Sequence, residues 1–366
     1  MSVKKVIAAM SGGVDSSVAA AIYKERGYEV IGVTLRLRTG LSAENGGCAS
    51  KEDEEHAAEA ARIMDIPHLI LDYSDDFKNK VLRPSWDEFA KGRTPNPCTL
   101  CNPRIKFGKL LEYAAQTGAE KVITGHYAII REDHGIFKLE RGSDPAKDQT
   151  YFLYALTQEM LSHIHFPIGE INKSSVREYA RKIGLRNHAK KDSQDACFSI
   201  PGETFQESLK RIFNEDAHIG RFITPDGKAH GFHKGIHQYT IGQRKGLGVA
   251  LGCPAYVSAI DASSGDVSIS TDPADLMTGS FDVVSLNWQS GVMPNAPFRA
   301  MIQVRYRSRP APGLVTPRAD GGATVLMDEP LRAVTIGQAA VFYNDTLLLG
   351  GGCIDRIIPL TQTDEV

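Results

Sequence analysis

The stretch VIAAMSGGVDSSVAAAIYKERG, residues 6–27, decides the fold of this chain. Val6–Met10 is a short apolar run of the kind that forms a buried strand, and a glycine pair and an alanine-rich helix-forming stretch follow at once. A glycine-rich turn between a strand and a helix N-terminus gathers main-chain N–H groups around an anion, and the helix dipole favours negative charge there. The stretch therefore predicts a phosphate site within an α/β domain.

The turn itself consists of Ser11, Gly12, Gly13, Val14, Asp15, Ser16 and Ser17. Gly12 and Gly13 can adopt positive φ angles and let phosphate oxygens approach the main chain. The serine hydroxyls add donors, and Asp15 can hold Mg²⁺. No Gly-Lys-Ser/Thr follows, so this is not the P-loop of γ-phosphoryl transfer enzymes. The structural alternative is a plain strand–turn–helix with a serine N-cap.

Length and composition set the outer limits. A chain of 366 residues is long enough for two or three domains, and 42% hydrophobic with 23% charged residues is ordinary for a soluble protein. No apolar run approaches the ~20 residues of a membrane span, and the N-terminus lacks the apolar core of a signal peptide, so we expect a cytoplasmic protein. A net charge of −2 means that any RNA site must depend on local basic patches.

Three textures follow one another along the chain. Residues 1–203 alternate strand-like and helix-like segments, which predicts an N-terminal doubly wound parallel-sheet nucleotide-binding domain of the α/β class. Residues 204–277 are rich in glycine and histidine and predict a small central domain. Residues 278–366 predict a C-terminal antiparallel β-barrel. The short alternating runs that indicate its strands are 281–286, 300–304, 323–327, 339–342 and 347–349.

The second informative segment is GRTPNPCTLCNPRIKFG, residues 92–108. The residue before a proline is pushed out of the α region, so the two X-Pro steps around Asn96 predict an extended, stiff loop. That loop presents Cys98 and Cys101 with CxxC spacing, which is typical of a redox dithiol or of half a zinc site, or arises by coincidence. No second cysteine or histidine pair at zinc spacing follows in the sequence.

The third segment is KKDSQDACFSI, residues 190–200. Lys190 and Lys191 precede Cys197, and nearby lysines lower a thiol pKa and favour the reactive thiolate. Phe198 and Ile200 are apolar neighbours, so the alternative is a small buried thiol that only packs. The local sequence leaves both readings open.

Together these segments carry a family resemblance. The blocks SGGVDSS, GRTPNPCTLCN, IKFG, TGHYA, DPAKDQTYFLY, KKDSQDACF, YTIGQRKGLG and AVTIGQAAVFY occur in the order found in bacterial tRNA-specific 2-thiouridylases, members of the ATP pyrophosphatase superfamily. The resemblance extends from Met10 to about Ile354 and includes blocks particular to that family. It implies ATP-dependent 2-thiolation of the wobble uridine, position 34 of tRNA, through adenylation of the uracil C2 oxygen and displacement of AMP by persulfide-derived sulfur.

The resemblance also implies roles for individual residues. Cys101 matches the family's nucleophile and Cys197 its persulfide-carrying cysteine, and in one route these two form a transient disulfide. The residues matching the ATP site are Ala9, Met10, Ser11, Gly12, Gly13, Val14, Asp15, Ser16, Leu35 and Gly125. Those matching target-base contacts are Asn96, Pro97 and Cys98. Those matching tRNA contacts are Lys147, Asp148, Gln149, Arg305 and Tyr306, with His126 and Gln338 near the RNA.

One position departs from the family pattern. Many members carry aspartate three residues before the nucleophile, where this chain has Cys98. Cys98, Cys101 and Cys197 could then hold a [4Fe–4S] cluster with an open iron, as an alternative to the persulfide route. The implied cofactors are ATP, Mg²⁺ and, in that alternative, the cluster. The implied partners are tRNA and a sulfur donor, either a cysteine desulfurase or a sulfur-carrier relay, with no membrane involved.

Two rival functions stay open at this point. An amide-forming ligase of the same superfamily would need an ammonia source and no paired cysteines, and an RNA-binding protein could keep the phosphate turn as a relic. If the chain is a tRNA 2-thiouridylase, as the resemblance implies, the barrel is expected to dock RNA. Alternation around Tyr306 predicts Arg305 and Arg307 on one face of a strand, toward tRNA phosphates.

Overall fold

The structure is a computed structural model that describes residues 4–38, 50–189, 202–216 and 218–358. Its strands are β1 Lys5–Ala9, β2 Glu29–Arg36, β3 His68–Asp72, β4 Lys121–Ile123, β5 Ala128–Asp133, β6 Ile136–Arg141, β7 Ile164–His165, β8 Arg221–Ile223, β9 Ala229–Phe232, β10 Tyr256–Ile260, β11 Val267–Ser270, β12 Met277–Trp288, β13 Phe298–Gln303, β14 Ala311–Pro317, β15 Ala323–Arg332, β16 Ala339–Asn344 and β17 Leu347–Ile358. The described α-helices are α1 Val14–Glu25, α2 Lys51–Ile63, α3 Ser74–Phe77, α4 Arg83–Ala90, α5 Pro97–Cys101, α6 Phe107–Thr117, α7 Gln158–Ser162, α8 Lys173–Lys182 and α9 Phe205–Phe213. Wide π turns occupy Lys78–Leu82 and Asn102–Lys106, and 3₁₀ turns occupy Thr150–Phe152, Arg186–Ala189, Ile236–Gln238 and Pro273–Leu276.

The first sheet is parallel, in the order β3-β2-β1-β4-β7. Its faces are both covered, because alternate residues of the central strand β1 enter different cores. Val6 packs with Val18 of α1 on one face, and Ile7 packs with Leu110 of α6 on the other. Fully apolar strands such as β1 suit a sheet buried on both faces. The prediction of a doubly wound parallel sheet is confirmed.

One hairpin in this region does not join the parallel sheet that the alternation predicts. Strands β5 and β6 pair antiparallel, and β6 joins the barrel through the pair Leu347 and Glu140. Leu139 of β6 is fully buried in a core shared with Tyr151 and with Tyr343 of the barrel. The N-terminal region and the barrel are therefore fastened by a common apolar core.

The central region forms a small sheet of four strands in the order β10-β11-β8-β9. Its core contains Phe222, Tyr239 and Val257, all buried. The adjacent barrel closes in the order β12-β15-β14-β13-β16-β17, with β12 also pairing to β17. Both the small central domain and the antiparallel barrel are as predicted. Strand β14 is not among the predicted alternating runs, because Pro312, Gly313 and Pro317 weaken its strand pattern.

Among the described helices, none has the length and apolar character needed to cross a bilayer.

Candidate active site

A cavity of about 950 Å³ opens at the carboxyl ends of β1, β2 and β4. In open α/β sheets this edge, where the strand order reverses, is the usual ligand site. The loop 306–310 of the barrel forms the opposite wall. The predicted site residues that line the cavity are Ala9, Met10, Ser11, Gly13, Val14, Asp15, Ser16, Leu35, Cys98, Cys101, Gly125, His126, Lys147, Asp148 and Tyr306.

The glycine-rich turn is held in shape by contacts within the protein. Gly12 has φ +74°, and a Cβ built on it would lie 2.3 Å from the main-chain oxygen of Asp53, so only glycine fits. The Ser16 hydroxyl accepts from the N–H of Ser11 at 3.1 Å and donates to the carbonyl of Gly13 at 3.0 Å. Helix α1 begins directly after Gly13. The turn thus presents main-chain N–H groups at a helix N-terminus, which suits phosphate.

Gly125 closes the turn from the β4 side. A Cβ on Gly125 would lie 2.5 Å from the main-chain N of Ser16 and from the carbonyl carbon of Asp15. The two main chains are therefore in direct contact, and a side chain at this position would separate them. This contact connects the loop after β4 to the phosphate turn.

Asp15 has protein partners in this structure. Both carboxylate oxygens accept from the Lys173 ammonium, at 2.8 and 2.7 Å, and Oδ1 also accepts from the Tyr127 hydroxyl at 2.8 Å. Lys173 is buried at the start of α8. A metal ion at this carboxylate would share it with the Lys173 ammonium. The predicted Mg²⁺ role of Asp15 stays a prediction.

Cys98 and Cys101 lie on a helix, so the predicted extended loop is wrong for these two residues. Asn96 is extended, with φ −115° and ψ 91°, as the following proline requires. Pro97, however, starts helix α5, because its fixed φ and missing N–H suit the first helical position. Both thiols face the cavity from this short helix.

Burial dominates the acidity of the two thiols. It raises the pKa of the Cys101 thiol to about 11, against a smaller opposing effect from the nearby Lys106 charge. Burial raises the pKa of Cys98 in the same way. Both cysteines are therefore neutral thiols at physiological pH. Cys197, the third predicted thiol, lies outside the described residues. Within the described residues, no group of three or more His, Cys, Asp or Glu side chains could hold a metal ion.

His126 also lines the cavity, and its tautomer follows from its partners. Lys106 can only donate, so its ammonium, 3.4 Å from Nε2, requires an unprotonated Nε2. Nδ1–H then donates to the Thr124 hydroxyl at 2.7 Å. Burial, together with the Lys106 charge, places the pKa of His126 well below its ordinary value. His126 is thus a neutral acceptor that orients the Lys106 ammonium.

An aromatic group forms the wall between the cysteine helix and the barrel. The rings of Phe152 and Tyr306 lie 4.4 Å apart between centroids, and Tyr151 packs against both. Asn102, one residue after Cys101, donates its amide to the Phe152 carbonyl at 2.8 Å. Tyr306 is the exposed member of this group, and an exposed aromatic face can stack an unpaired nucleobase.

Arg305 does not lie on a strand, and the predicted strand face shared with Arg307 is wrong. Both arginines fall in the turn between β13 and β14. The Arg305 guanidinium donates to the Ala333 carbonyl at 2.6 Å and to the Thr335 hydroxyl at 2.5 Å, so it braces the barrel. Arg307 is exposed and lines the cavity mouth.

The remaining tRNA candidates are mostly engaged inside the protein. Asp148 is buried and accepts from Arg141 at 2.6 Å. Gln149 accepts from the N–H of Tyr127 at 3.0 Å. The candidates absent from the cavity lining, within the described part of the chain, are Gly12, Asn96, Pro97, Gln149, Arg305 and Gln338. Of these, Gln149, Arg305 and Gln338 use their side chains for hydrogen bonds within the protein.

Sequence reasoning did not single out several lining or supporting residues. They are Lys106, Asn102, Phe152, Arg309 and Lys173. Lys106 belongs to the IKFG block and Phe152 to the TYFLY block. The sequence therefore drew attention to both blocks but did not indicate what these two residues do. Lys173 lies 158 positions from Asp15, and no local pattern links the two.

Comparison with known proteins follows the same three regions. A family model described as the tRNA methyl transferase HUP domain matches residues 4–201. A second, described as the tRNA methyl transferase PRC-barrel domain, matches residues 206–271, and an aminomethyltransferase beta-barrel domain model matches residues 278–354. Fold and cavity together thus define a protein of the HUP class with a PRC-type domain and a β-barrel attached.

Curated relatives are similar over the full length. The tRNA-specific 2-thiouridylase MnmA of Clostridium perfringens is 42% identical over 365 residues, which cover 98% of this chain and 100% of the relative. The enzyme of the same name from Magnetococcus marinus is 41% identical over 355 residues, 96% of this chain and 99% of that one. The chain belongs to the family of tRNA-specific 2-thiouridylases, as its sequence blocks predict.

Solved structures are similar at greater distance. A 4-thiouridine synthetase–RNA complex with bound ATP has a TM-score of 0.37 and 18% identity, covering 57% of this chain and 50% of that one. The NMN synthetase from Francisella tularensis has a TM-score of 0.33 and 17% identity, covering 59% and 79%.

Proposed function

We propose that this protein is an ATP-dependent tRNA-uridine 2-sulfurtransferase that converts the wobble uridine of tRNA to 2-thiouridine. One observation carries the proposal: a single cavity contains the phosphate turn at one end, the Cys98–Cys101 helix in its wall and aromatic side chains of the barrel side opposite. Membership of the 2-thiouridylase family supports the same reading.

The first step activates the base. The C2 oxygen of uracil is a poor leaving group, so it must be activated before sulfur can replace it. The C2 oxygen attacks the α-phosphorus of ATP, and the bond from that phosphorus to the pyrophosphate oxygen breaks. Main-chain N–H groups of the turn, from Ser11 to Ser16, receive the pyrophosphate at the N-terminus of α1. Gly125 holds the turn in the conformation that does so.

The second step delivers sulfur. A persulfide on Cys197 attacks C2 directly, or Cys101 attacks its inner sulfur and releases hydrosulfide that attacks C2. In either route a C2–S bond forms, the C2–O bond breaks and AMP leaves with the electron pair. The direct route first gives a C2–S–S–Cys197 linkage, whose S–S bond breaks when the Cys101 thiolate attacks the Cys197 sulfur. Both routes therefore leave a Cys101–Cys197 disulfide, which a reductant must open. Burial of Cys101 supports the proposal, because a shielded thiol is protected from other oxidants until substrate binds.

The RNA side of the proposal rests on the barrel. The target base must leave its stack, at a cost of a few kcal/mol that loop contacts offset. Asn96, Pro97 and Cys98 are proposed to contact that base, and the proposed tRNA contacts are Lys147, Asp148, Gln149, Arg305 and Tyr306, with His126 and Gln338 nearby. The proposed domains are 1–203, 204–277 and 278–366, which the three family-model matches support.

Cofactors and partners complete the proposal. ATP is the adenylating substrate, and Mg²⁺ accompanies its phosphates, with Asp15 as the proposed protein ligand. A [4Fe–4S] cluster on Cys98, Cys101 and Cys197 remains the alternative sulfur carrier. The proposed sulfur donor is a cysteine desulfurase or a carrier relay, and the proposed location is the cytoplasm.

The deciding experiment incubates the protein with ATP, unmodified tRNA, a cysteine desulfurase and cysteine, followed by mass analysis of the tRNA nucleosides. We expect 2-thiouridine together with AMP and pyrophosphate. AMP released with an ammonia acceptor and no thiolated base would identify the amide-forming ligase instead. RNA binding without pyrophosphate release would identify a non-enzymatic RNA-binding protein.

Two variants then separate the thiol roles. Cys197→Ala should lose the protein persulfide formed by the desulfurase, a +32 Da adduct that corresponds to one added sulfur, whereas Cys101→Ala should keep it. Both should stop thiolation and retain ATP binding. Activity only in anaerobically prepared, iron-loaded protein would favour the cluster and make Cys98 a ligand.

A further inference from the structure

The wide turn that follows the cysteine helix brings a lysine onto the thiol side of the cavity. Residues Asn102–Lys106 form a π turn, in which hydrogen bonds close at i+5 instead of i+4. In a regular α-helix, residues five apart point about 140° away from each other. The wider turn instead keeps Lys106 on the side of Cys101, where its charge acts on the Cys101 thiol. Lys106 and Cys101 both line the cavity.

The Lys106 ammonium forms no ion pair with a carboxylate of the described residues. Within the described residues, no Asp or Glu oxygen lies within salt-bridge distance of its ammonium. Two other cations of the site are paired, Arg141 with Asp148 at 2.6 Å and Lys173 with Asp15 at 2.7 Å, whereas Arg307 and Arg309 line the cavity from the barrel side. Lys106 instead contacts a neutral acceptor, Nε2 of His126, at 3.4 Å. Its positive charge is therefore available to an anionic ligand in the cavity.

The position of Lys106 lies between the two chemical halves of the cavity. Gly125 touches the main chain of the phosphate turn at Ser16, and His126 is the next residue along the chain. The His126 ring accepts from the Lys106 ammonium, and the charge of Lys106 acts on the Cys101 thiol. A group bridging the pyrophosphate site and the thiols would pass this ammonium. In the adenylation reaction that bridging group is the α-phosphate.

We propose that Lys106 contacts the α-phosphate, first in ATP and then in the adenylated uridine, with His126 as its positioning residue. This assignment rests on the proposed function. In adenylation, the bond from the C2 oxygen to the α-phosphorus forms as the bond to pyrophosphate breaks. In sulfur transfer, the C2–S bond forms as the C2–O bond breaks, and the electron pair stays on AMP. Lys106 keeps its proton throughout and offsets the charge on the phosphate in both steps.

The test uses Lys106→Met, Lys106→Ala and Lys106→Arg in the full-length protein. Single-turnover reactions with ATP labelled at the α-phosphorus and unmodified tRNA, without a sulfur donor, measure the rate at which label enters tRNA. Adding sulfide then measures the rate at which AMP leaves. Lys106→Met should slow both steps by about 100-fold or more, the usual effect of removing one oxyanion donor. Lys106→Arg should retain part of the activity.

Two controls keep the result from being a folding effect. Lys109→Met changes a lysine one turn further along the same helical segment, where the ammonium pairs with Glu112 at 2.8 Å away from the cavity, and should leave both rates unchanged. Methylammonium added to Lys106→Ala should restore part of the labelling rate, which a merely structural lysine would not allow.

Three outcomes would overturn the assignment. Wild-type rates in Lys106→Met would show that Lys106 has no role in either step. A loss in Lys106→Ala that methylammonium cannot restore would assign Lys106 a structural role instead. Normal labelling of tRNA with sulfur transfer alone lost would assign Lys106 to the thiols rather than to the phosphate. Failure of the wild-type protein to label tRNA at all would refute the proposed function itself. The wild-type reaction is therefore measured before the variants.

Discussion

The side-chain amide of Gln338, on the barrel, donates to the main-chain carbonyl of Thr94 at 2.9 Å, and it also reaches the Pro95 carbonyl at 3.1 Å. The N–H of Thr94 is bonded in turn to the Ile336 carbonyl at 2.9 Å. A Cβ on Gly337 would lie 2.8 Å from the Thr94 oxygen, so the two main chains pack directly. The barrel thus holds the segment that leads into the cysteine helix.

Gln338→Leu should therefore weaken thiolation without weakening ATP binding. The substitution leaves two part-buried carbonyls without their donor, at a cost of about 1–3 kcal/mol to the conformation of residues 94–96. We expect the single-turnover thiolation rate to fall about tenfold, measured against the Kd for ATP. Gln116→Leu, at an exposed position of α6, is the matched control. Equal losses in ATP affinity and thiolation would contradict a local effect on this segment.

Gly125→Ala should damage the phosphate turn specifically. Its new methyl group would lie 2.5 Å from the Ser16 nitrogen, and main-chain atoms cannot rotate away as a side chain can. We expect the Kd for ATP to rise at least tenfold, an effect of about 1.4 kcal/mol or more, while tRNA binding is retained. Isothermal titration with a non-hydrolysable ATP analogue checks this. An unchanged Kd would show that the turn tolerates displacement.

Asp15→Ala should abolish pyrophosphate release and leave tRNA binding largely intact, because RNA affinity depends on phosphate contacts elsewhere. It should also destabilise the fold by roughly 2 kcal/mol, since it leaves the buried Lys173 ammonium without its carboxylate. Lys173→Met in the same chain should recover stability but not activity. Chemical denaturation and a pyrophosphate assay measure the two effects separately. Wild-type pyrophosphate release in Asp15→Ala would refute its assignment to the ATP site.

His237 predicts a loss of stability in mild acid. Its ring is fully buried against Trp86, at 5.5 Å between centroids, and neither ring nitrogen has a hydrogen-bond partner among the residues that the structure describes. Burial lowers the pKa of His237 to about 4 from an ordinary value of 6.5. The folded protein then binds fewer protons than the unfolded chain between these values. Stability is complete above pH 6.5 and falls as the pH drops toward 4.

The corresponding variant is His237→Phe, which keeps an aromatic ring beside Trp86 and removes the titrating group. We expect the wild-type free energy of unfolding to fall by about 2 kcal/mol more than that of the variant between pH 7 and pH 4.5. Urea denaturation at several pH values gives both curves. Parallel curves would mean that His237 stays uncharged without cost to the fold.

The sequence predicted those features of the fold that depend on local chemistry. The phosphate turn follows from glycine conformations and helix dipoles, and the barrel follows from period-two alternation. The cysteine helix was missed because the X-Pro rule constrains only the residue before each proline, and Pro97 itself suits a helix start. The β5–β6 hairpin was missed because periodicity does not say which sheet a strand joins.

The sequence predicted those site residues that belong to a single continuous motif, such as the phosphate turn and the cysteine segment. Spacing alone could not reveal that Lys173 neutralises Asp15, or that Lys106 lies between His126 and Cys101, because these contacts depend on packing between distant segments. The same limit explains Arg305. The alternation around Tyr306 predicted a strand face for Arg305, whereas Arg305 lies in a turn and its guanidinium donates to the main-chain carbonyl of Ala333.

The π turn between Cys101 and Phe107 places a constraint on chain length as well as on residue type. Such a turn contains one residue more than an α-helical turn, so a one-residue deletion within 102–106 would relax it into a continuous α-helix. Everything before the deletion would then rotate by about 100° relative to everything after it. Such a deletion would turn the cysteines out of register with the phosphate turn even if every side chain of the site survived. Descendants of this sequence should therefore accumulate substitutions here far more readily than gaps.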